Sequence, residues 1–144
     1  MTEVYGEQLV SGWTDARARV LGGMTALPSR SASGLRAFEA IADRWNLSRH
    51  ERQAALGMPL RTYNRVRARP ETATLDDDTL ERISHVLGIY KALHVLFEDD
   101  ERADTWINRP SLAFAGQSAR ALIASGLFTD LVRVRQHLDV ARVD

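Results

Sequence analysis

Between Ser48 and Arg69 the sequence reads SRHERQAALGMPLRTYNRVRAR, and its punctuation leaves the backbone few choices. Ser48 is a good N-cap, because its hydroxyl can accept from an amide left unpaired in a first helical turn. A helix is predicted from Arg49 to Leu56. Gly57 follows where the chain must turn, and glycine enters φ > 0 without a Cβ penalty. Pro59 suits the first position of the next helix, where its missing N–H costs nothing. Pro70 disfavours helical geometry in the residue before it, so the second helix, Pro59 to Arg69, ends there. Two short helices joined by a glycine turn predict a helix-turn-helix.

Charge sharpens this. Residues 49–70 hold six arginines and one acid, Glu51, a local balance of +5 in a chain of net charge zero. Residues 71–104 hold ten acids and three bases, a balance of −7. A basic module beside an acidic one suggests two different partners. On the second helix, Tyr63 and Val66 are expected to turn inward, leaving Leu60, Arg61, Asn64, Arg65 and Ala68 outside. Arginine and asparagine can read guanine and adenine edges bidentately in the major groove. Arg52, Arg67 and Arg69 are better placed for phosphates, which position a protein without specifying a sequence. Operator double-stranded DNA is therefore the expected ligand. The competing reading is an arginine-rich solvated helix in a small bundle. Arg52 and Gln53 fall where such a helix usually carries a core apolar residue and a small one.

The rest of the chain reads as helix or loop, and no strand pattern of any length occurs, so an all-α fold is expected. Residues 1–34 are rich in breakers, including Val20-Leu21-Gly22-Gly23 and Ser29 to Gly34, and read as a flexible arm with a short helix near Asp15 to Leu21. Leu35 to Trp45 is predicted helical from Leu35, Phe38, Ile41, Ala42 and Trp45. This gives a helix-turn-helix region over residues 35–70. Asp76 to Asp78 suit the start of the next helix through the macrodipole. That helix, Thr79 to Phe97, carries two apolar stripes, and the double stripe predicts burial on one side and a partner on another. A short helix ending near Trp106, a loop from Ser111 to Gly116, a helix capped by Ser118 and a final helix from Leu127 to Val143 complete residues 71–144. On the final helix, Leu127, Leu131, Val134 and Leu138 are expected to share the buried face.

Enzyme chemistry has little support. With no cysteine there are no disulfides or thiolates. The four histidines are scattered; Glu81/His85 and His94/Glu98 have i,i+4 spacing, but such pairs are common without metal. The glycines near residue 22 lack the lysine and strand of a phosphate loop. No catalytic residue, metal or cofactor is expected. Met1 to Trp13 lack the basic start and apolar run of an export signal, and no apolar stretch suits a membrane span, so a cytoplasmic setting is expected.

Residues Leu87 to Leu93 read Leu-Gly-Ile-Tyr-Lys-Ala-Leu, and Arg102 to Trp106 read Arg-Ala-Asp-Thr-Trp. A loop then runs from Arg109 to Ala119, and Leu122 to Gly126 closes a helix as Leu-Ile-Ala-Ser-Gly. This run, Leu80 to Gly126, resembles the toxin-binding domain of the Xre/MbcA/ParS antitoxin family. Ser111, Ala115 and Ala119 replace the asparagine, glycine and proline usual in the family's loop. The resemblance implies a type II toxin–antitoxin system. An N-terminal helix-turn-helix would repress the operon, and residues 71–144 would bind and block a RES-domain toxin. RES toxins resemble ADP-ribosyltransferases and deplete NAD. By position, Trp106, Asn108, Arg109, Phe114 and Gln117 would lie near the toxin, with Arg133, Arg135, His137 and Arg142 reaching towards its cleft. The same aromatics could equally be core packing. The family's members form dimers or larger toxin–antitoxin assemblies. The alternative is a stand-alone dimeric repressor with no toxin partner.

Overall fold

A computed structural model describes residues 29–143. The expected arm helix at Asp15 to Leu21 lies outside them. The described residues form seven α-helices, with one isolated bridge between Pro110 and Ser118 and no strand. The all-α expectation holds.

Helix α1 spans Arg30–Arg44 and is capped by the Ser29 hydroxyl, which accepts from the Ala32 amide at 3.0 Å. It starts earlier than the predicted Leu35. The small residues that read as breakers are helical because another helix packs on them. Ala32 and Gly34 are buried, and a Cβ on Gly34 would sit 3.7 Å from Leu80. Leu35, Phe38, Ile41, Ala42 and Trp45 are buried as the periodicity predicted.

Helix α2, Arg49–Leu56, opens with a reciprocal capping box: Ser48 Oγ accepts from the Glu51 amide and Glu51 Oε1 accepts from the Ser48 amide. Gly57 ends it at φ 71°, the left-handed turn expected of it. Helix α3 spans Leu60–Ala68, and Pro59 is its N-cap residue rather than its first helical one. Ala55, Leu56, Tyr63 and Val66 form the shared core of the pair.

Helix α4, Asp77–Leu96, is capped by Asp76, whose carboxylate accepts from the Thr79 amide at 2.8 Å. It runs through the middle of the molecule. Helix α1 packs on one side of it and the final helix on another. Most of the second stripe is thus covered within this chain, where the sequence expectation gave it to a partner. Val86, Ile89 and Leu93 are buried by this chain itself, and of the helix's large apolar residues only Val95 and Leu96 at its end are exposed.

Beyond it, α5 covers Asp100–Thr105, capped by Asp99, and a 3-10 turn covers Trp106–Asn108. A loop with a second 3-10 turn, Leu112–Phe114, leads to α6 at Ala119–Ile123, capped by Ser118. Ala115 and Gly116 are both left-handed, at φ 56° and 87°. Helix α7, Phe128–Val143, closes the fold. Leu131, Val134 and Leu138 are buried as expected, but Leu127 precedes the helix and is 59% exposed.

Candidate functional site

Two faces collect the residues singled out by sequence. On the first, α3 turns Tyr63 and Val66 inward and leaves Arg61, Asn64, Arg65, Arg67 and Arg69 exposed, with Leu60 half-buried. Arg36 of α1 and Arg49 of α2 join them. These two, Asn64 and Arg67 line a groove of about 660 Å³ between α1 and α3, together with Glu39 and Asp43. Among the described residues, Arg36, Arg49, Arg61, Arg65, Arg67 and Arg69 form no ion pair. Arg36 escaped sequence reading because it lies outside the basic run; its neighbourhood is set by the packing of α1.

Arg52 does not belong to this exposed set. It is 8% exposed. Its Nη1 donates to Glu39 at 2.6 Å, its Nη2 pairs with Asp43 at 2.9 Å, and its Nε donates to the Leu47 carbonyl at 2.9 Å. Every direction of the guanidinium is committed inward, which corrects its assignment to phosphate contact. Burial lowers its pKa, but the bonds to Asp43 and Glu39 outweigh that, and the net shift is upward. The Tyr63 hydroxyl also donates to Glu39. Burial first, then the Glu39 carboxylate, pushes Tyr63 up to about 12. A charged triad therefore fills the slot that an apolar residue usually takes.

The second face is built from the 106–117 segment and α7. The His137 ring stacks on Trp106 with centroids 6.2 Å apart and meets Phe114 edge-on at 5.2 Å. Phe114 is buried and Trp106 half-buried, while Asn108, Arg109 and Gln117 are exposed. Phe114 thus anchors the loop. Leu112, which sequence reading passed over, is 97% exposed at the loop's tip. Arg133 is exposed and pairs with Asp130 at 3.5 Å; Arg142 is half-buried on the last turn.

Arg135 departs from its expected role. It is 5% exposed and lies across α4. Its Nη1 donates to the Ser84 carbonyl at 3.3 Å, and Asp139 lies 3.7 Å from its Nε. A Cβ on Gly88 would meet its Nε and Cζ at 2.4 Å. The Arg135 side chain thus occupies the space that Gly88 leaves, held against α4 rather than reaching outward.

The histidine pairs noted in the sequence do not assemble into a metal site. His94 contacts Asp104 at 3.0 Å and Asp100 at 3.3 Å rather than Glu98, and no group of three or more such side chains is arranged to hold a metal ion among the described residues. Asp104 also accepts from Arg44 of α1, which ties α1 to α5.

One family model, described as the antitoxin Xre-like helix-turn-helix domain, matches residues 25–88. Another, the antitoxin Xre/MbcA/ParS C-terminal toxin-binding domain, matches residues 92–142. The division between them falls inside α4. The uncharacterized protein y4oB of Sinorhizobium fredii (strain NBRC 101917 / NGR234) is 45% identical over 114 residues, covering 79% of this chain and 88% of that protein. The first face lies in the first matched span and the second face in the other.

Proposed function

From the premise that this chain belongs to the Xre/MbcA/ParS antitoxin family, we propose that it blocks a RES-type, NAD-degrading toxin and represses its own operon. As an antitoxin it has a toxin for a partner, and its helix-turn-helix suggests DNA as the other. What supports the two-ligand reading is one arrangement: six arginines with no acidic partner among the described residues surround α3, while a separate aromatic-lined loop lies in the toxin-binding span; the RES type of the toxin follows from the family resemblance alone. No helix among the described residues is long and apolar enough to cross a membrane, and a cytoplasmic setting is part of the proposal.

In this reading Arg61, Asn64 and Arg65 face base edges, and Leu60 can meet a thymine methyl. Arg36, Arg49, Arg67 and Arg69 contact phosphates. Toxin contact falls to Trp106, Asn108, Arg109 and Gln117, with His137, Arg133 and Arg142 beside them; Phe114, expected there from the sequence, is buried and holds the loop from within instead. DNA binding is assigned to residues 35–70 and toxin binding to 71–144, with α4 serving both. A homodimer or larger toxin–antitoxin assembly suits a two-fold operator.

Co-expression with the product of the adjoining reading frame tests the reading. Growth arrest by that product should be relieved by this chain, and cellular NAD should fall with the toxin alone and recover with both. Relief without any change in NAD would remove the RES assignment. For the operator, Arg65→Ala should weaken binding and relax one base position by about 1–3 kcal/mol, whereas Arg49→Ala should weaken all sequences alike and lower the salt slope by about 1.

A further inference from the structure

The two faces are joined by one side chain, Arg120 of α6. Its Nε donates to Glu51 Oε2 at 2.8 Å and its Nη2 to Glu51 Oε1 at 2.8 Å, a bidentate fork. Nη2 also donates to the Asn46 carbonyl at 2.7 Å, and Nη1 donates to the Trp45 carbonyl at 3.2 Å. On its other side, Nη1 donates to Asn108 Oδ1 at 3.0 Å. One guanidinium thus holds the third residue of α2, the corner between α1 and α2, and the turn that precedes Arg109. That corner is a tight one, with Asn46 left-handed at φ 55°.

Two consequences follow for DNA. Glu51 is the only acid between Arg49 and Arg69. Unpaired, its carboxylate would oppose a phosphate approaching Arg49; the fork offsets that charge. The carbonyl bonds also fix the α1–α2 corner, and with it the relation of Arg36 on α1 to Arg49 and Arg67. We propose that Arg120 is a positioning residue for operator binding, and that through it occupancy of the Asn108–Arg109 turn changes operator affinity. This rests on the antitoxin reading, because it requires both ligands. A toxin that draws on Asn108 redistributes the bonds of Arg120, and α2 feels the change. Such coupling is reciprocal, so the operator must alter toxin affinity by the same factor.

Operator affinity is measured with a duplex from immediately upstream of the chain's own coding sequence, with and without the adjoining reading frame's product. Wild type is expected to change affinity by about fivefold or more when the toxin is added. Arg120→Met, which leaves Glu51 unneutralised, should weaken operator binding about three- to tenfold without toxin. Adding Glu51→Gln to it should recover part of that affinity, the part lost to the unpaired charge, yet the toxin effect should be gone. A residue that merely props up the fold would show no such rescue. Thermal unfolding checks each variant. Glu51→Gln alone, which keeps the capping acceptor and the carbonyl bonds of Arg120, should reduce the toxin effect if the double variant folds poorly. An unchanged toxin effect in these variants overturns the proposal. So does a wild-type chain that binds both ligands independently, a result that leaves the antitoxin reading intact. Failure to bind either ligand sinks both.

Discussion

Arg52 shows how a single charge is decided by its surroundings rather than by its type. It sits among unpaired arginines in sequence, yet carboxylates from α1 draw it into the core. Removing one partner of a buried pair costs about 3–5 kcal/mol. Asp43 stays largely solvated, so Arg52→Ala is expected to lose somewhat less, about 2–3 kcal/mol, read as a fall in the urea midpoint. Loss of less than about 1 kcal/mol would mean that Glu39 and Tyr63 repair the gap themselves. Glu51 gives a second residue-scale prediction. The hydrogen bonds from Arg120 come first among the causes that bring its pKa from 4.5 to about 2. A depressed carboxylate contributes stability that is present above pH 4.5 and lost as pH falls towards 2. The contribution is about 1–2 kcal/mol after solvent screening. Denaturant unfolding across that interval should show the loss in wild type and a flatter profile in Glu51→Gln.

At the scale of elements, Gly88 and Arg135 should be strongly coupled. Alanine in the middle of a helix is favoured over glycine by about 1 kcal/mol. At Gly88 the new methyl would displace the Arg135 guanidinium from a buried position with a carbonyl partner. Gly88→Ala is therefore expected to destabilise by about 1–2 kcal/mol in wild type. In an Arg135→Ala background, where the space is empty, the same change should stabilise by up to about 1 kcal/mol. A sign that does not reverse would disprove the contact as the reason for the glycine. The same pair marks what sequence could show. Element existence was legible wherever caps, prolines and apolar periods agreed: Ser48, Gly57, Asp76 and Ser118 all stand where their chemistry placed them. What escaped was pairing between distant segments. Nothing in the local pattern shows that Glu39 awaits Arg52, that Gly88 receives Arg135, or that Glu51 receives Arg120 across 69 positions. A local pattern therefore places cationic side chains outward by default, which holds for the exposure of Arg61 and Arg65 and fails for Arg52 and Arg135. The start of α1 was missed for a related reason, since small residues look like breakers until a packing helix explains them.

For the whole molecule, α4 decides whether the two halves are independent. It presents Leu80 and Ile83 towards Gly34 of α1, and Ser84 and Gly88 towards Arg135 of α7. Trp45 and Tyr90 lie with ring centroids 6.4 Å apart, again across the α1–α4 contact. Cutting the chain before residue 71 would uncover Leu80, Ile83 and Tyr90 and strip Arg120 of Glu51 and the Trp45 and Asn46 carbonyls. Each apolar side chain returned to water costs about 1.5–3 kcal/mol when it was fully buried. Of the three only Ile83 is fully buried, yet net domain stability is only about 5–15 kcal/mol, so the loss is a substantial fraction of what the fragment has. The full chain is therefore expected to unfold in one step, with far-ultraviolet circular dichroism and tryptophan fluorescence tracing the same urea transition. Trp45 and Trp106 report from the two halves, so separate transitions would show two independent domains. A fragment of residues 71–144 should unfold at markedly lower urea than the whole. It should relieve toxin arrest less well than a chain that keeps α1 and α2. Equal protection by that fragment would show that residues 71–144 hold their shape without the helix-turn-helix beside them.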